Sequence, residues 1–295
     1  MNLPFRIYIT NRIGGIVMKI VSFRVKKMAS APHTSLFEGL NRLWRRVSGR
    51  SRRAMCFCAA LLMLLALFPL SAPGQAVAAA VSKRQLPIYC VKKDSKVVSL
   101  SFDAAWGNED TEQLIEILGK YGVSATFFVV GAWVEKYPES VRALHDAGHE
   151  IMNHSDDHAH YPKLTADEMT ADLARCNDKI EAVTGVRPTL FRPPYGDYND
   201  KVISAVRESG MQAVQWDVDS LDWKGLSADK ITARVLERVG PGSIVLFHNA
   251  AEHTPAALPG IIEGLIQQGF GFLPLSKLIL TEGYEIDHTG RQYPA

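Results

Sequence analysis

From Val97 onward the chain alternates short β-branched runs with amphipathic helical stretches, and this rhythm restricts it to folds built from parallel βα units. Val97–Phe102 (VVSLSF) predicts a buried strand ending at Asp103, and 109–121 a helix with Leu114, Ile117 and Leu118 on one face and Gly122 as its stop. Strand Ala125–Val130, helix 138–147 and strand Glu150–Met152 follow. Thr165-Ala-Asp-Glu168 is a capping box opening a long helix, whose Met169, Leu173, Cys176, Ile180 and Val183 keep helical spacing up to Gly185. Further strands are expected at Leu190–Phe191, Met211–Gln215, Ser243–Phe247 and Phe270–Leu273, separated by helices near 200–209, 228–239 and 257–268. This α/β series predicts a small or incomplete TIM-like barrel, with a doubly wound open sheet as the alternative.

The N-terminal part has another character. Residues 1–53 carry twelve of the chain's 33 Lys/Arg but only Glu38 of its 31 acids, leaving 21 bases against 30 acids beyond them. The acidic remainder argues against nucleic acid as a partner. From Ala54 to Leu70 the sequence AMCFCAALLMLLALFPL holds no charge; Arg45, Arg46, Arg50, Arg52 and Arg53 precede it and Ala76-Val77-Ala78 follows. A basic flank, an apolar run and an A-x-A site describe a secretory signal, and the run also reaches the lower limit for a membrane anchor. The expected organisation is a basic cytoplasmic segment 1–53, a signal peptide or anchor 54–80 tying the chain to the membrane, and an exported domain 81–295. Cys56 and Cys58 lie in the apolar run, while Cys90 and Cys176 are expected either as a disulfide or as two free thiols.

Unusual polar residues gather at the predicted strand ends: Asp103, His154 with His158, Arg192, Asp219 with Asp222, and His248. In a parallel barrel the C-terminal strand ends share one mouth, so these residues are expected to converge. His154 and His158 are four apart, which one helical turn would bring onto one face as a pair able to chelate a divalent metal. Asp103 suits a general base, with a turn residue as the plainer reading. Arg192, before Pro193-Pro194, could grip a carboxylate bidentately, against a surface arginine in a rigid turn. His248 is placed to protonate a leaving amine, and Trp106, Tyr195 and Trp223 to stack on sugar rings, although each alone also fits a structural role.

Taken together, Ser101-Phe102-Asp103, Ala125-Thr126-Phe127-Phe128, His154-Ser155-x-x-His158, Arg192-Pro193-Pro194-Tyr195-Gly196, Asp219-x-x-Asp222-Trp223 and Leu246-x-His248 occur in the order of the NodB-homology polysaccharide deacetylases, carbohydrate esterase family 4. The chain resembles that family over roughly 95–280. The resemblance implies a distorted (β/α)7 TIM-like barrel and metal-dependent removal of acetyl groups from glycans. It implies that His154 and His158 bind a divalent metal, usually zinc. Asp103 would be the base held by Arg192, and His248 the general acid tuned by Asp222. Trp223 and Leu246 would line the groove and acetyl pocket, with Trp106 beside them and the Tyr195 backbone on the oxyanion.

One position departs from the pattern: the family's second aspartate, a metal ligand, is here Ala104, which leaves a two-histidine site completed by water, recruitment of Asp103 or Asp157 as the third ligand, or a loss of catalysis. The Asp103-Ala-Ala-Trp106-Gly107 form resembles the PdaB-type sporulation deacetylases, which implies peptidoglycan, including that of the spore cortex, as substrate. The expectation is a deacetylase of a peptidoglycan or chitin-like polymer. Its rivals are a catalytically inactive glycan-binding pseudoenzyme on the same barrel and a deacetylase of a small amide.

Overall fold

The structure, a computed structural model, describes residues 57–58 and 84–295. The basic segment and nearly all of the apolar segment 54–80 lie outside the described residues. Among the described residues no helix is long and apolar enough to cross a membrane. The chain divides between Ser82 and Lys83, and the second unit, Lys83–Ala295, carries the barrel.

Its elements run β1 (Cys90–Val91), β2 (Val97–Ala104), α1 (Thr111–Lys120), β3 (Thr126–Val129), α2 (Gly131–Lys136), α3 (Pro138–Asp146), β4 (Glu150–Asn153) and α4 (Ala166–Thr184). There follow β5 (Leu190–Phe191), α5 (Asp200–Glu208), β6 (Gln212–Ala213), β7 (Val218–Asp219), α6 (Ala228–Arg238), β8 (Ile244–His248), α7 (Thr254–Gln267), β9 (Gly271–Phe272), α8 (Leu275–Leu278), β10 (Tyr284–Ile286) and β11 (Arg291–Pro294). Parallel strands are ordered β6-β5-β4-β3-β2-β8-β7. The late strand β8 pairs with the early strand β2, from Ser99 opposite Ile244 to Asp103 opposite His248. A doubly wound sheet reverses its order at a switch point; this one instead runs round, and only the step from β6 to β7 is unpaired. The preceding chain crosses that seam: Ile88 N–H donates to Ala213 O at 2.9 Å, Gln215 N–H to Ile88 O at 2.7 Å, and Val91 N–H to Gly242 O at 2.9 Å. The result is an open α/β barrel of parallel strands, consistent with the (β/α)7 expectation.

Strand alternation sorts the side chains of β2. Val98, Leu100, Phe102 and Ala104 join the apolar cluster that also takes in the helices, while Ser101 and Asp103 turn towards Arg192. Phe102 stacks on Phe127 and Phe247 with centroids 4.7 and 5.3 Å apart. Each such fully buried ring contributes about 1.5–3 kcal/mol through area burial. These contacts fix β2, which carries Asp103, and β8, which ends in His248, together with β3 between β2 and β4.

Helix α4 starts at the expected box: Thr165 accepts from Glu168 N–H and the Glu168 carboxylate accepts from Thr165 N–H. It ends at Gly185 in the left-handed region, φ 74°. Helix α7 begins at Thr254, earlier than the spacing suggests, because Pro255 suits a first helical turn. Helix α2, strand β7 and a second sheet ordered β1-β11-β10 are additions to the sequence reading. Cys90 and Cys176 are buried free thiols, so the disulfide alternative is excluded.

Candidate active site

The polar residues at the strand ends do converge. Asp103, His154, His158, Leu246 and His248 line one cavity of about 420 Å³, with Trp106, Tyr195 and Trp223 around it. Asp103 ends the inward-facing row of β2, and Arg192 follows β5 in the barrel interior. Arg192 is fully buried; its Nη1 donates to Asp103 Oδ1 at 2.7 Å. The bidentate grip expected from sequence does not form. Nη2 instead donates to Ser101 Oγ at 2.8 Å and to Gln215 O at 3.1 Å, because the barrel wall supplies acceptors that spread the guanidinium across two strands. The group also lies over the Phe128 ring, 4.1 Å from its centroid. Burial alone would raise the Asp103 carboxyl. The charges of Arg192 and His248 and the Arg192 hydrogen bond outweigh it and hold the group below the usual carboxylate range.

His154 and His158 come together, but not by a helical turn. Residues 154–158 form a loop in which Ser155 and His158 take positive φ, 76° and 56°. Ser155 N–H donates to Asn153 Oδ1 at 2.7 Å, so the chain folds back on the end of β4. Asn153 itself is buried, donating to Leu173 O and Asn177 Oδ1. The imidazole centroids are 5.1 Å apart. His154 Nδ1 bonds Arg192 O at 2.8 Å, which directs Nε2 towards Asp103 Oδ2, 3.5 Å away. Burial keeps both rings neutral, lowering His154 against the pull of Asp103 and lowering His158 to about 4.

These features test the site for a metal. His154, neutral and anchored through Nδ1, is a ligand ready to bind, and with the neutral His158 ring beside it the pair suits a divalent ion. The third protein ligand is missing. Ala104 is fully buried in the apolar cluster and does not line the cavity, and among the described residues no group of three His, Cys, Asp or Glu is spaced to hold an ion. The donor set therefore fits a two-imidazole site completed by solvent, not a three-ligand protein site.

Beyond Asp103, on the neighbouring strand β8, His248 pairs closely with Asp222. His248 Nδ1 is 2.8 Å from Asp222 Oδ1, and Asp222 Oδ2 accepts from His248 N–H at 2.8 Å and Thr254 Oγ1 at 2.7 Å. Trp223 N–H completes the clamp at 2.9 Å from Oδ1. Burial would depress His248, but the Asp222 hydrogen bond and charge, with Asp103 behind them, raise it above the ordinary imidazole value. Of the two acids in the Asp219-x-x-Asp222 motif, Asp222 is thus the one on His248; Asp219 lines the cavity and accepts Leu221 N–H.

Trp106, Tyr195 and Trp223 are 60%, 60% and 57% exposed, so they form the rim rather than the core. Tyr195 sits at φ 62° on a tight turn and stacks on His160, centroids 4.1 Å apart. His160, Trp216 and Thr254 escaped the sequence reading, which named Ser101 in a motif but gave it no role. Only Ser101 left a signal there, as a polar residue on the inward row of an otherwise apolar strand.

The family model for polysaccharide deacetylases matches residues 91–214. A peptidoglycan-N-acetylglucosamine deacetylase of Bacillus cereus is 34% identical over 188 residues, covering 62% of this chain and 68% of that protein. The chain belongs to the polysaccharide deacetylase family. Within that family it is 36% identical over 188 residues to the peptidoglycan-N-acetylmuramic acid deacetylase PdaC of Bacillus subtilis, but it spans only 40% of PdaC, and 60% of the uncharacterized B. subtilis protein YlxY. The Bc1960 peptidoglycan N-acetylglucosamine deacetylase superposes with a TM-score of 0.64 at 32% identity, over 66% of this chain and 93% of that one. Bacillus anthracis BA3943, a pseudoenzyme of carbohydrate esterase family 4, superposes with a TM-score of 0.63 at 36% identity, over 65% and 68% of the two chains.

Proposed function

We propose that the chain hydrolyses the acetyl amide of an N-acetylated glycan, with peptidoglycan as the polymer. The observation that carries this reading is the pairing of Asp103 with His248. They are register partners on adjacent strands of one cavity wall, and their acidities are shifted in opposite directions. An anionic base beside a protonated acid is what amide hydrolysis needs.

Asp103, kept ionised by Arg192, takes a proton from a water as its oxygen bonds to the acetyl carbon. His248, protonated and oriented by Asp222, gives its Nε2 proton to the sugar nitrogen as the carbon–nitrogen bond breaks, leaving acetate and a free amine. Leu246 offers an apolar wall to the acetyl methyl, and the Tyr195 backbone a donor to the carbonyl oxygen. Bound by His154 and His158, a divalent cation, zinc by the family's preference, supplies Lewis-acid chemistry and makes water more acidic. The exposed Trp106, Tyr195 and Trp223 suit an extended sugar chain better than a small amide.

Peptidoglycan is supported by the Bacillus cereus relative, and the Asp103-x-x-Trp106-Gly107 form extends the proposal to spore-cortex material. The basic flank and apolar run at 54–70 support export, with the barrel outside the membrane as a secreted or anchored domain. A second reading rests on Ala104 and on the likeness to BA3943: a glycan-binding protein without turnover. A BA3943 mutant has restored enzymatic activity, so this fold tolerates passage between the two states. Acetate release from N-acetylated peptidoglycan separates them. Zinc-dependent release supports the enzyme, and glycan binding without release under any metal supports the pseudoenzyme.

A further inference from the structure

The turn at the cavity rim that carries Tyr195 is held in an unusual conformation. Tyr195 lies at φ 62° and ψ 5°, and Gly196 after it at φ 67°. Glycine enters the left-handed region freely; a residue with a side chain does so at a cost and stays there only where its surroundings over-determine it. The hydrogen bonds that close the turn run from Gly196 N–H to Pro193 O and from Asp197 N–H to Pro194 O, both at 3.1 Å. Neither uses Tyr195, whose own N–H is left to face a ligand in a residue that lines the catalytic cavity.

His160 supplies the missing restraint. Its ring stacks on Tyr195 with centroids 4.1 Å apart and planes at 13°, while its Nδ1 lies 3.2 Å from Asp197 Oδ2. One side chain therefore holds the turn on both sides of Gly196. An exposed His–carboxylate contact contributes little when it hangs from mobile chain. His160 is carried on a pinned segment instead. The next residue, Tyr161, is fully buried, packs on Phe191 with centroids 4.6 Å apart and donates to Asp172. Just before it, Ala159 N–H donates to Ser155 Oγ at 3.3 Å. The His160 ring is thus a fixed post against which the Tyr195 turn rests, and His160 itself does not line the cavity.

We propose that His160 is a positioning residue for the reaction: it clasps the Tyr195–Gly196 turn and so keeps the Tyr195 N–H aimed at the acetyl carbonyl oxygen as negative charge gathers there. A donor of this kind acts through its prior alignment, which is what a strained turn loses first when its restraint is removed. The proposal rests on the glycan-deacetylase reading, in which that amide meets the oxyanion, and adds to it a residue outside the cavity wall.

Two readouts on the full chain test it. The first needs no turnover and is the 15N relaxation of the Tyr195 and Gly196 amides. His160→Ala should lower their order parameters from about 0.85 to below about 0.6, and His160→Phe, which keeps a stacked ring, should restore most of the order. The second is acetate release from N-acetylated peptidoglycan with zinc added. His160→Ala should lower kcat about tenfold with KM nearly unchanged, because the donor acts on the transition state more than on bound substrate. In a Tyr195→Gly background, where glycine takes the left-handed conformation unaided, the same substitution should cost nothing further. Amides that stay rigid in His160→Ala overturn the clasp. A rise in KM at constant kcat, or a kcat loss that persists beside Tyr195→Gly, means that His160 meets the glycan directly and overturns the positioning role. No acetate from the wild type under any metal removes the glycan-deacetylase reading, and the amides alone then decide whether His160 holds the turn.

Discussion

Asp103 and His248 stand opposite one another in the register of β2 and β8, and each is held by a partner of the other sign on its far side. Arg192 grips the aspartate at 2.7 Å and Asp222 grips the histidine at 2.8 Å. The two strands are neighbours only because the sheet curls until β8 reaches β2. The pairing of Asp103 with His248 is therefore a consequence of the curl of the sheet.

Removing the Asp222 carboxylate takes away the largest influence that raises His248, leaving burial opposed only by Asp103 and Asp219. Asp222→Asn should move the His248 titration, followed by NMR, to lower pH. The alkaline limb of kcat/KM should move the same way, with a loss of about 10²-fold at its optimum. An unmoved titration would remove Asp222 from this role.

The Asp103–Arg192 pair also links stability to pH. Because the folded-state carboxyl is depressed, its contribution is present above the ordinary aspartate pKa of about 3.9 and is lost as pH falls through the lower folded value. Arg192→Met leaves a buried carboxylate unpaired and should cost about 3–5 kcal/mol at neutral pH. The carboxyl should then titrate above its usual range, so that the variant gains stability relative to wild type on acidification. Denaturant melts at neutral and mildly acidic pH would show it, and a pH-independent difference would count against the pair.

On the proposed reading the two imidazoles hold a divalent ion, so His154→Ala and His158→Ala should each lower zinc bound per chain, read by elemental analysis. With Ala104 in place of a carboxylate, wild-type zinc should already be stripped by moderate chelator concentrations. Unchanged stoichiometry in both variants would refute the ligand assignment.

Trp106 and Trp223 expose more than half their surface at the rim. Trp223→Ala and Trp106→Ala should each raise KM for a polymeric glycan by roughly threefold to tenfold, about 1 kcal/mol of ring contact, with kcat nearly unchanged. A fall in kcat at constant KM would place these rings in the chemistry instead.

Much of this was legible in the residues because local rules and the fold agree. Asp103 stands out as a charge ending an apolar strand, and Thr165 to Gly185 carries its own start and stop signals. The positions that misled are those where tertiary structure overrides spacing. His154 and His158 look like one helical turn, yet two left-handed residues make them a loop, a conformation that no periodicity announces. Arg192 looks like a fork for one carboxylate, but the neighbouring strands bring Ser101 and Gln215 to share it. Strands β1, β10 and β11 are too short for a period and exist only because residues from both ends of the domain meet.

The most direct test of the central claim is acetate release by the purified chain from N-acetylated peptidoglycan and chitin oligomers, with zinc added and with chelator. The account predicts release that requires the metal and is abolished in Asp103→Asn, which should keep its fold and its glycan binding. Release unaffected by Asp103→Asn, or none from a folded chain that still binds glycan, would contradict it.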